Sequence, residues 1–205
     1  MFDIAPREKA LIDKVLIPNG MIKDRCDKLA EQIFDDYKGK EVSIVVILTG
    51  AFQFFSDLNE SIMKVRAIRR PETDEEDVIV QYYMRKVSSY RNTESLGKDN
   101  VKVDISVEEC QGKNVLIVED IYDTGASMDS ILESVRDKGA LDVKVCVLLH
   151  KKNVLNLEYK YYADYIGFFM PMKFVIGYGM DLNEYVRDMR HICSISKAGI
   201  QKYIV

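Results

Sequence analysis

Short apolar runs alternate with amphipathic patterns along most of this chain. Between residues 21 and 37, apolar side chains recur every three or four residues, which predicts one buried face of a helix. The next run, VSIVVIL at 42–48, is apolar at nearly every position and therefore predicts a central strand covered on both faces. Thr49 and Gly50 interrupt that run. A second helical pattern follows, with apolar residues at Phe52, Phe55, Leu58, Ile62 and Met63.

The same order of elements repeats further along the chain. Residues 77–84, 114–118 and 143–149 predict three more strands, and Gly139 ends a helical pattern between the last two. That helix carries its apolar residues at Met128, Ile131, Leu132 and Val135. A strand, helix, strand rhythm predicts an α/β fold with an open, mostly parallel twisted sheet flanked by helices.

The rhythm changes after about residue 150. The remaining segment is richer in aromatic residues and has no further full strand, helix, strand cycle, and no linker rich in proline or serine separates it. We therefore predict a single domain over 1–205, in which a small hood subdomain is appended to the sheet core. The predicted core covers about 20–150, and the hood covers about 151–205 plus part of the N-terminus, about 1–19. Its short strand candidates are 165–169 and 191–195.

Composition and charge narrow the classes of function. The chain has 205 residues and a formal net charge of −4, which disfavours binding to nucleic acid as a polymer. No apolar run is long enough for a transmembrane helix, and the N-terminus lacks the pattern of a secretory signal. The acidic stretch 72–77 is predicted to be a solvated connection. Four scattered cysteines without a CxxC pair predict reduced core thiols in a cytosolic protein, with Cys146 and Cys193 in apolar runs.

The segment with the most chemical information is VLIVEDIYDTGASM at 115–128. Two adjacent carboxylates, Glu119 and Asp120, end a predicted buried strand, and Asp123 follows in a predicted loop at 119–125. Small residues, 124–127, then begin a helix, where free backbone N–H groups and hydroxyls suit a phosphate. Carboxylates at a strand end suit Mg²⁺ or the vicinal hydroxyls of a sugar. Together these features predict a site for a phosphorylated sugar, although helix capping and a solvated loop would give the same residues.

This segment resembles the phosphoribosyl-diphosphate (PRPP) signature of the type I phosphoribosyltransferases, and the similarity runs from about residue 40 to 205. Within that family the chain is most similar to the enzymes that act on hypoxanthine and guanine. The resemblance implies that Glu119 and Asp120 hold ribose hydroxyls and Mg²⁺, and that Asp123 is the catalytic acid or base. It also implies a PRPP and 5′-phosphate site formed by Glu119, Asp120, Asp123, Thr124, Gly125, Ala126 and Ser127.

The resemblance extends to the segments that would hold pyrophosphate and close the site. Leu48–Ala51 matches the pyrophosphate-binding loop, which in the family contains a non-proline cis peptide, with Thr49 here in place of the usual lysine. Arg187 matches the arginine that meets pyrophosphate. Ser89 and Tyr90 match a pair in the mobile loop of the family, which agrees with the polar, unpatterned segment 86–104 being a lid.

The purine site is implied by the C-terminal part of the resemblance. Lys151 matches a lysine that contacts the exocyclic oxygen of the purine. Lys173, Phe174 and Val175 match the segment that stacks on the base and reads its edge, and Asp181 matches an aspartate near a second metal and the purine amino edge. Without the resemblance, a surface lysine, a core phenylalanine, a helix cap and a solvent-facing arginine would be the simpler interpretations of these residues.

The resemblance implies a purine-salvage enzyme that transfers a phosphoribosyl group from PRPP to hypoxanthine or guanine with Mg²⁺. It further implies a cytoplasmic homodimer or homotetramer with small-molecule substrates, no nucleic acid and no membrane. Two alternatives stay open, namely a transferase that accepts xanthine and a nucleotide-sensing regulator on the same fold. The absence of a basic stripe disfavours the regulator, and the segment 173–175 disfavours a pyrimidine substrate.

Overall fold

The computed structural model describes residues 4–88, 90–91, 94–95, 102–123, 125–152 and 162–203. In chain order its elements are α1 (Pro6–Lys9), β1 (Ile12–Ile17), α2 (Asn19–Asp36), β2 (Lys40–Leu48), α3 (Ala51–Arg69), β3 (Val78–Ser88), β4 (Tyr90–Arg91), β5 (Glu94–Ser95), β6 (Lys102–Val103), α4 (Val107–Cys110), β7 (Asn114–Tyr122), α5 (Ala126–Asp137), β8 (Asp142–Lys152), β9 (Tyr165–Pro171), β10 (Val175–Ile176), β11 (Ile192–Ile195) and α6 (Lys197–Tyr203).

The main sheet has six strands in the order β6, β3, β2, β7, β8, β9. Strands β3, β2, β7, β8 and β9 run parallel. The short β6 pairs antiparallel with the end of β3. This confirms the predicted mostly parallel α/β sheet. Because parallel strands end at the same edge, the loops that follow β2, β7 and β8 meet there.

Two apolar layers hold the sheet between helices. Val42, Ile44 and Val46 of β2 pack in the layer with α2 and α3, whereas Val45 and Ile47 pack in the layer with α5. The alternation arises because successive side chains of a strand point to opposite faces. A strand buried on both faces needs an apolar residue at nearly every position, which explains the continuous apolar run in the sequence.

The two long helices agree with their predicted positions, but only three of the five predicted apolar residues of α3, namely Phe55, Leu58 and Ile62, are buried. In α2 the predicted apolar residues are all buried, including Tyr37 just after the helix. In α3, Phe52 and Met63 are 50% and 63% exposed, and Phe54 and Val65 are buried instead. The helix packs against both α2 and the sheet. These two contacts determine which of its side chains are buried, and the spacing of apolar residues alone does not. In the described part of the chain, no helix is both long and apolar enough to cross a membrane.

A second, antiparallel sheet consists of β1, β11 and β10, and the name hood is given to this sheet together with the residues from 172 to 203 around it. The N-terminal strand β1, in the region predicted to contribute to the hood, pairs with β11 near the C-terminus. The predicted boundary of the core at about residue 150 is wrong for one element. β9 pairs parallel with β8 and completes the main sheet, so Tyr165–Pro171 belongs with the core. The sequence pattern predicted a short strand at 165–169. A run of five residues does not show which sheet that strand joins.

Asp77 corrects the prediction that the whole acidic stretch 72–77 is solvated. Residues 72–76 are exposed, but Asp77 is 6% exposed and forms an ion pair with Arg66 of α3. Its carboxylate also accepts a hydrogen bond of 2.8 Å from the backbone N–H of Val78. The last acidic residue therefore fixes the start of β3 against α3, as expected of a buried carboxylate that keeps its partners.

All four cysteines, which lie within the described residues, are buried and free of disulfide bonds. This confirms the prediction of buried thiols for Cys146 and Cys193. Burial raises the pKa of Cys26 to about 12 and that of Cys193 to about 11, so both thiols stay protonated at neutral pH.

The central position of β7 leads to a prediction about stability. Ile117→Ala removes a fully buried side chain from the middle of the sheet and is expected to lower the free energy of unfolding by about 2–5 kcal/mol. Ile79→Ala, at a position of β3 that is 41% exposed, is the matched control and is expected to cost about 1 kcal/mol or less. Urea unfolding of both variants measures the difference, and equal losses would contradict this account of the core.

Candidate active site

The two adjacent carboxylates lie within strand β7, not in the loop predicted at 119–125. Pairing with β8 continues from Glu119 opposite Val147 to Tyr122 opposite His150, so the strand is extended through both acidic residues. The carboxyl groups of these neighbouring residues nevertheless contact each other, because a hydrogen bond joins their side chains. Asp120 is only 8% exposed, which places a carboxylate at the buried end of the central strand.

The loop after β2 lies directly against Asp120. The Leu48–Thr49 peptide bond is cis, as the family resemblance implied. A β-carbon built on Gly50 would lie 1.8 Å from Oδ2 of Asp120, so a side chain at this position would displace that carboxylate. The exposed Thr49 and the glycine beside it are thereby held at the end of β7.

The surroundings of the acidic pair disfavour two negative charges. Burial raises the pKa of Glu119 well above its ordinary value, and the charge of Asp120 raises it further. Burial also raises the pKa of Asp120, although a hydrogen bond with Glu119 and the positive charge of Arg187 oppose that rise. Two carboxylates that are costly to ionise together gain from a cation beside them.

A divalent cation fits this acidic pair only with help from other ligands. Among the described residues, no cluster of three or more His, Cys, Asp or Glu side chains is arranged to hold a metal ion. Mg²⁺ is commonly bound through one or two carboxylates together with substrate phosphate oxygens and water. The donor set of Glu119 and Asp120 matches that mode of binding better than a metal site built from protein alone.

Arg187 links the hood to the same edge of the sheet. Its Nη1 donates a hydrogen bond of 2.6 Å to the carbonyl of Gly179, and its Nη2 lies 2.8 Å from Oδ1 of Asp181. Gly179 in turn packs on the loop after β2, since a β-carbon there would lie 2.2 Å from the carbonyl oxygen of Gly50. The guanidinium is therefore held close to Glu119 and Asp120 by its contacts with Gly179 and Asp181, and by the contact of Gly179 with the loop after β2.

Asp181 is engaged within its own turn. Its Oδ2 accepts a hydrogen bond of 2.6 Å from the backbone N–H of Glu184, and its Oδ1 pairs with Arg187. Val186, between this turn and the arginine, has a φ of +62°, which is costly for a β-branched residue. Such backbone conformations persist where the surrounding structure holds them, often at functional sites.

Asp123 and Lys151 form an ion pair across two neighbouring strand ends. The Nζ of Lys151 lies 2.7 Å from Oδ2 of Asp123, and Lys151 is only 8% exposed. The aspartate follows β7 and the lysine lies near the end of β8, so the parallel pairing of these strands brings the two residues together. The lysine is thus a buried group of the site and not a surface charge.

Helix α5 begins beside these carboxylates. Gly125 precedes the helix with a φ of +83°, and a β-carbon there would lie 2.9 Å from the hydroxyl of Tyr122. Ala126 and Ser127 form the first turn, where the backbone N–H groups have no partners within the helix. Thr124 lies outside the described residues.

Three of the predicted purine residues, namely Lys173, Phe174 and Val175, lie between β9 and the start of β10. Phe174 is 50% exposed and Lys173 is exposed, whereas Val175 is buried as the first residue of β10. A half-exposed aromatic ring is available to a ligand, which a core phenylalanine is not. Of the predicted lid pair, Ser89 lies outside the described residues, and Tyr90 is known only as the start of β4.

Two relations in the site escaped the sequence-based predictions. The pairing of Asp123 with Lys151 depends on the register of β7 and β8, which no local pattern reveals. The contact of Gly179 with Gly50 joins residues 129 positions apart in the chain. The GYG string at 177–179 was the available signal, because glycines often mark a close approach of backbone segments.

The fold and this edge of the sheet define a phosphoribosyltransferase. A family model described as "Phosphoribosyl transferase domain" matches residues 17–182, and the chain belongs to that family.

Individual members of the family that are similar to this chain act on purines, according to their names. The chain is 38% identical to the hypoxanthine-guanine phosphoribosyltransferases of Canis lupus familiaris and Homo sapiens, over 94% of this chain and 85% of each of theirs. Its structure is similar to that of hypoxanthine-guanine phosphoribosyltransferase from Schistosoma mansoni in complex with IMP. That match has a TM-score of 0.79 and 31% identity, and it covers 98% of this chain and 91% of the other. A hypoxanthine phosphoribosyltransferase from Staphylococcus aureus matches with a TM-score of 0.75 and 28% identity, covering 98% and 99%.

The raised pKa of Glu119 predicts a pH-dependent cost in stability. A carboxyl whose pKa is higher in the folded state adds stability at low pH, and that contribution is lost as the pH rises through the folded pKa. Glu119→Gln is therefore expected to stabilise the metal-free protein by about 1–3 kcal/mol at pH 8 and to have little effect at about pH 4. Thermal unfolding in a chelator across this range measures it.

Two controls keep that measurement specific. Glu133→Gln, at an exposed position of α5, should leave the pH dependence unchanged. Mg²⁺ with PRPP should raise the melting temperature of the unaltered protein more than that of Glu119→Gln. A variant that is less stable than the unaltered protein at pH 8 would contradict the assignment of a costly buried charge.

Proposed function

We propose that this chain transfers the 5-phosphoribosyl group of PRPP to N9 of hypoxanthine or guanine, giving IMP or GMP and pyrophosphate, as an enzyme of purine salvage. The observation that carries the proposal is the meeting of the Asp123–Lys151 ion pair with Gly50 and the acidic pair at one edge of the sheet. PRPP would present a phosphate, a ribose and a diphosphate to this edge. The purine would present a polar heterocycle to it.

The phosphoribosyl part of PRPP fits the end of β7 and the start of α5. Residues 124–127 offer backbone N–H groups and hydroxyls to the 5′-phosphate, and the helix dipole favours that negative charge. Glu119 and Asp120 accept hydrogen bonds from the ribose hydroxyls. The phosphate and the ribose are thereby fixed on the two sides of Asp123.

The diphosphate part fits the loop after β2. Without side chains at Gly50 and Gly179, backbone groups there can approach a bound anion closely. Thr49 contributes backbone and hydroxyl groups where the family usually has a lysine. Arg187 supplies a guanidinium, whose planar donors suit phosphate oxygens.

Mg²⁺ is the cofactor that this site would use. Glu119 and Asp120 would hold it together with oxygens of PRPP, in keeping with their raised pKa values. When bound, the ion offsets negative charge on the leaving pyrophosphate. Asp181 is proposed as a contributor to a second metal, for which it would have to exchange its contact with Arg187 or Glu184.

The purine is recognised from three directions. Phe174 stacks on the base, and Lys173 beside it and the backbone of Val175 read the edge of the ring. Lys151 donates to the exocyclic oxygen at C6, which selects 6-oxopurines. Asp181 lies towards the amino edge of guanine.

Asp123 is proposed as the group that moves the proton at purine N7. In a 6-oxopurine, N7 and O6 lie side by side, and the ion pair of Asp123 and Lys151 offers an acceptor and a donor with matching separation. N9 attacks C1′ from the face opposite to pyrophosphate, through an oxocarbenium-like state. Closure of the lid with Ser89 and Tyr90 would exclude water from that state.

Location, domain organisation and oligomeric state are the remaining features of the proposed enzyme. We propose a cytoplasmic protein whose single domain consists of the sheet core and the hood. Exposed apolar side chains at Phe52, Tyr82 and Met84 are consistent with burial in a homodimer or homotetramer.

A steady-state assay with PRPP and Mg²⁺ tests the proposal, with hypoxanthine, guanine, xanthine and uracil as alternative acceptors. Turnover with hypoxanthine and guanine is the expected result. Turnover with xanthine alone would shift the substrate class, since a single group at C2 separates these bases. Tight binding of IMP or GMP without turnover on any base would instead indicate a nucleotide-sensing regulator.

The role of Asp123 is testable by removing its proton-accepting charge. Asp123→Asn is expected to lower kcat by about 10²–10⁴-fold while PRPP binding is largely retained, because general acid–base catalysis contributes about that much. Asp137→Asn, on the exposed surface of α5, is the control. Unaltered turnover of Asp123→Asn would contradict the acid–base role.

The role of Phe174 is testable by deleting its ring. Phe174→Ala is expected to raise the KM for hypoxanthine by about 10-fold, since stacking contributes about 1–3 kcal/mol, with a smaller change in the KM for PRPP. The two substrates serve as mutual controls in one set of kinetic measurements. Equal losses for both would indicate that the ring is only structural.

A further inference from the structure

A buried hydrogen bond joins the hood to helix α3 beneath the site described above. The hydroxyl of Tyr178 donates to Oδ2 of Asp57 at 2.6 Å. Tyr178 is 1% exposed and Asp57 is 8% exposed. The other carboxylate oxygen of Asp57 lies 3.4 Å from Nζ of Lys23 on α2. None of these three residues is assigned to substrate, metal or proton transfer in the proposed reaction.

Asp57 is rigidly connected to the loop after β2. It lies in the second turn of α3, which begins at Ala51 directly after Gly50. A carboxylate on the buried face of a helix is costly unless it has partners. Its partners here come from the hood and from α2, so this charge ties the start of α3 to both.

Tyr178 lies at the centre of the turn that touches that loop. Gly177, Tyr178 and Gly179 have φ values of +87°, +53° and +96°. The left-handed conformation is costly for a tyrosine and persists only where the surroundings hold it. The backbone N–H of Tyr178 donates to the carbonyl of Met189 at 2.7 Å, and that of Gly179 donates to the carbonyl of Arg187 at 3.0 Å.

We propose that Tyr178 and Asp57 are positioning residues that hold Gly179 and Arg187 against the pyrophosphate loop. The contacts form a closed ring. Gly50 is connected along α3 to Asp57, and Asp57 is hydrogen-bonded to Tyr178. Gly179, the next residue, packs against the carbonyl of Gly50. Arg187 joins this ring of contacts through its 2.6 Å hydrogen bond to the carbonyl of Gly179. The inference rests on the proposed function only in taking pyrophosphate as the group that this ring of contacts serves.

The hydroxyl of Tyr178 is suited to a permanent structural contact. Burial, with the hydrogen bond to Asp57, raises its pKa well above the ordinary value, so the group remains a donor throughout the pH range of an enzyme assay. A hydrogen bond to a charged acceptor is also stronger than one between neutral groups.

Tyr178→Phe removes only the hydroxyl and keeps the ring in the core. The matched control is Tyr165→Phe, because the hydroxyl of Tyr165 on β9 donates to Oδ2 of Asp36 on α2 at 2.7 Å, without contact to the hood turn. Both variants lose one tyrosine–aspartate hydrogen bond, which is buried for Tyr178 and partly buried for Tyr165. Melting temperature, affinity for inorganic pyrophosphate with Mg²⁺ by calorimetry, and affinity for IMP are measured for each.

The expected result is a fall in melting temperature for both variants and a loss of pyrophosphate affinity of about fivefold to tenfold for Tyr178→Phe alone. Its affinity for IMP should change by less than about twofold. Asp57→Asn, which keeps an oxygen acceptor, should retain more pyrophosphate affinity than Asp57→Ala.

Two outcomes would overturn the positioning role. One is a pyrophosphate affinity of Tyr178→Phe equal to that of Tyr165→Phe, and the other is an equal loss for pyrophosphate and IMP. Because these are binding measurements, they separate failure of this inference from failure of the proposed transferase activity. An unaltered protein that binds pyrophosphate but transfers no phosphoribosyl group would overturn only the latter.

Discussion

A β-carbon at Gly50 would lie 1.8 Å from a carboxylate oxygen of Asp120, and the rest of the site depends on this close approach. A side chain at position 50 would push that carboxylate away from the loop after β2. That contact sets the distance between the groups proposed for pyrophosphate and those proposed for ribose and Mg²⁺. A larger residue at position 50 is therefore expected to disturb the carboxylate of Asp120 within the proposed PRPP site.

The parallel sheet explains why these groups meet. Strands β2, β7 and β8 are neighbours that end at one edge, so their following residues converge although they are far apart in the chain. The helices on both faces leave this edge as the open place for a ligand. The hood then adds Phe174, Asp181 and Arg187 from the segments that flank the strands of a separate antiparallel sheet.

Much of the fold could be predicted from the sequence because the apolar patterns are long and regular, as in α2 and β2. The carboxylates of β7 were also recognisable, since they follow a buried run and precede a helix start. The exposed Phe52, the buried Asp77 and the pairing of β9 with the main sheet depend on tertiary contacts that no local period records. The same holds for the Asp123–Lys151 and Tyr178–Asp57 pairs, which join different elements.

A crystal structure of the protein with GMP bound tests the central claim most directly. The account predicts the 5′-phosphate at the first turn of α5, the ribose hydroxyls beside Glu119 and Asp120, and the base against Phe174. Within that complex, N7 and O6 should face Asp123 and Lys151. A nucleotide bound with its phosphate away from α5, or with its base away from Phe174, would contradict the account.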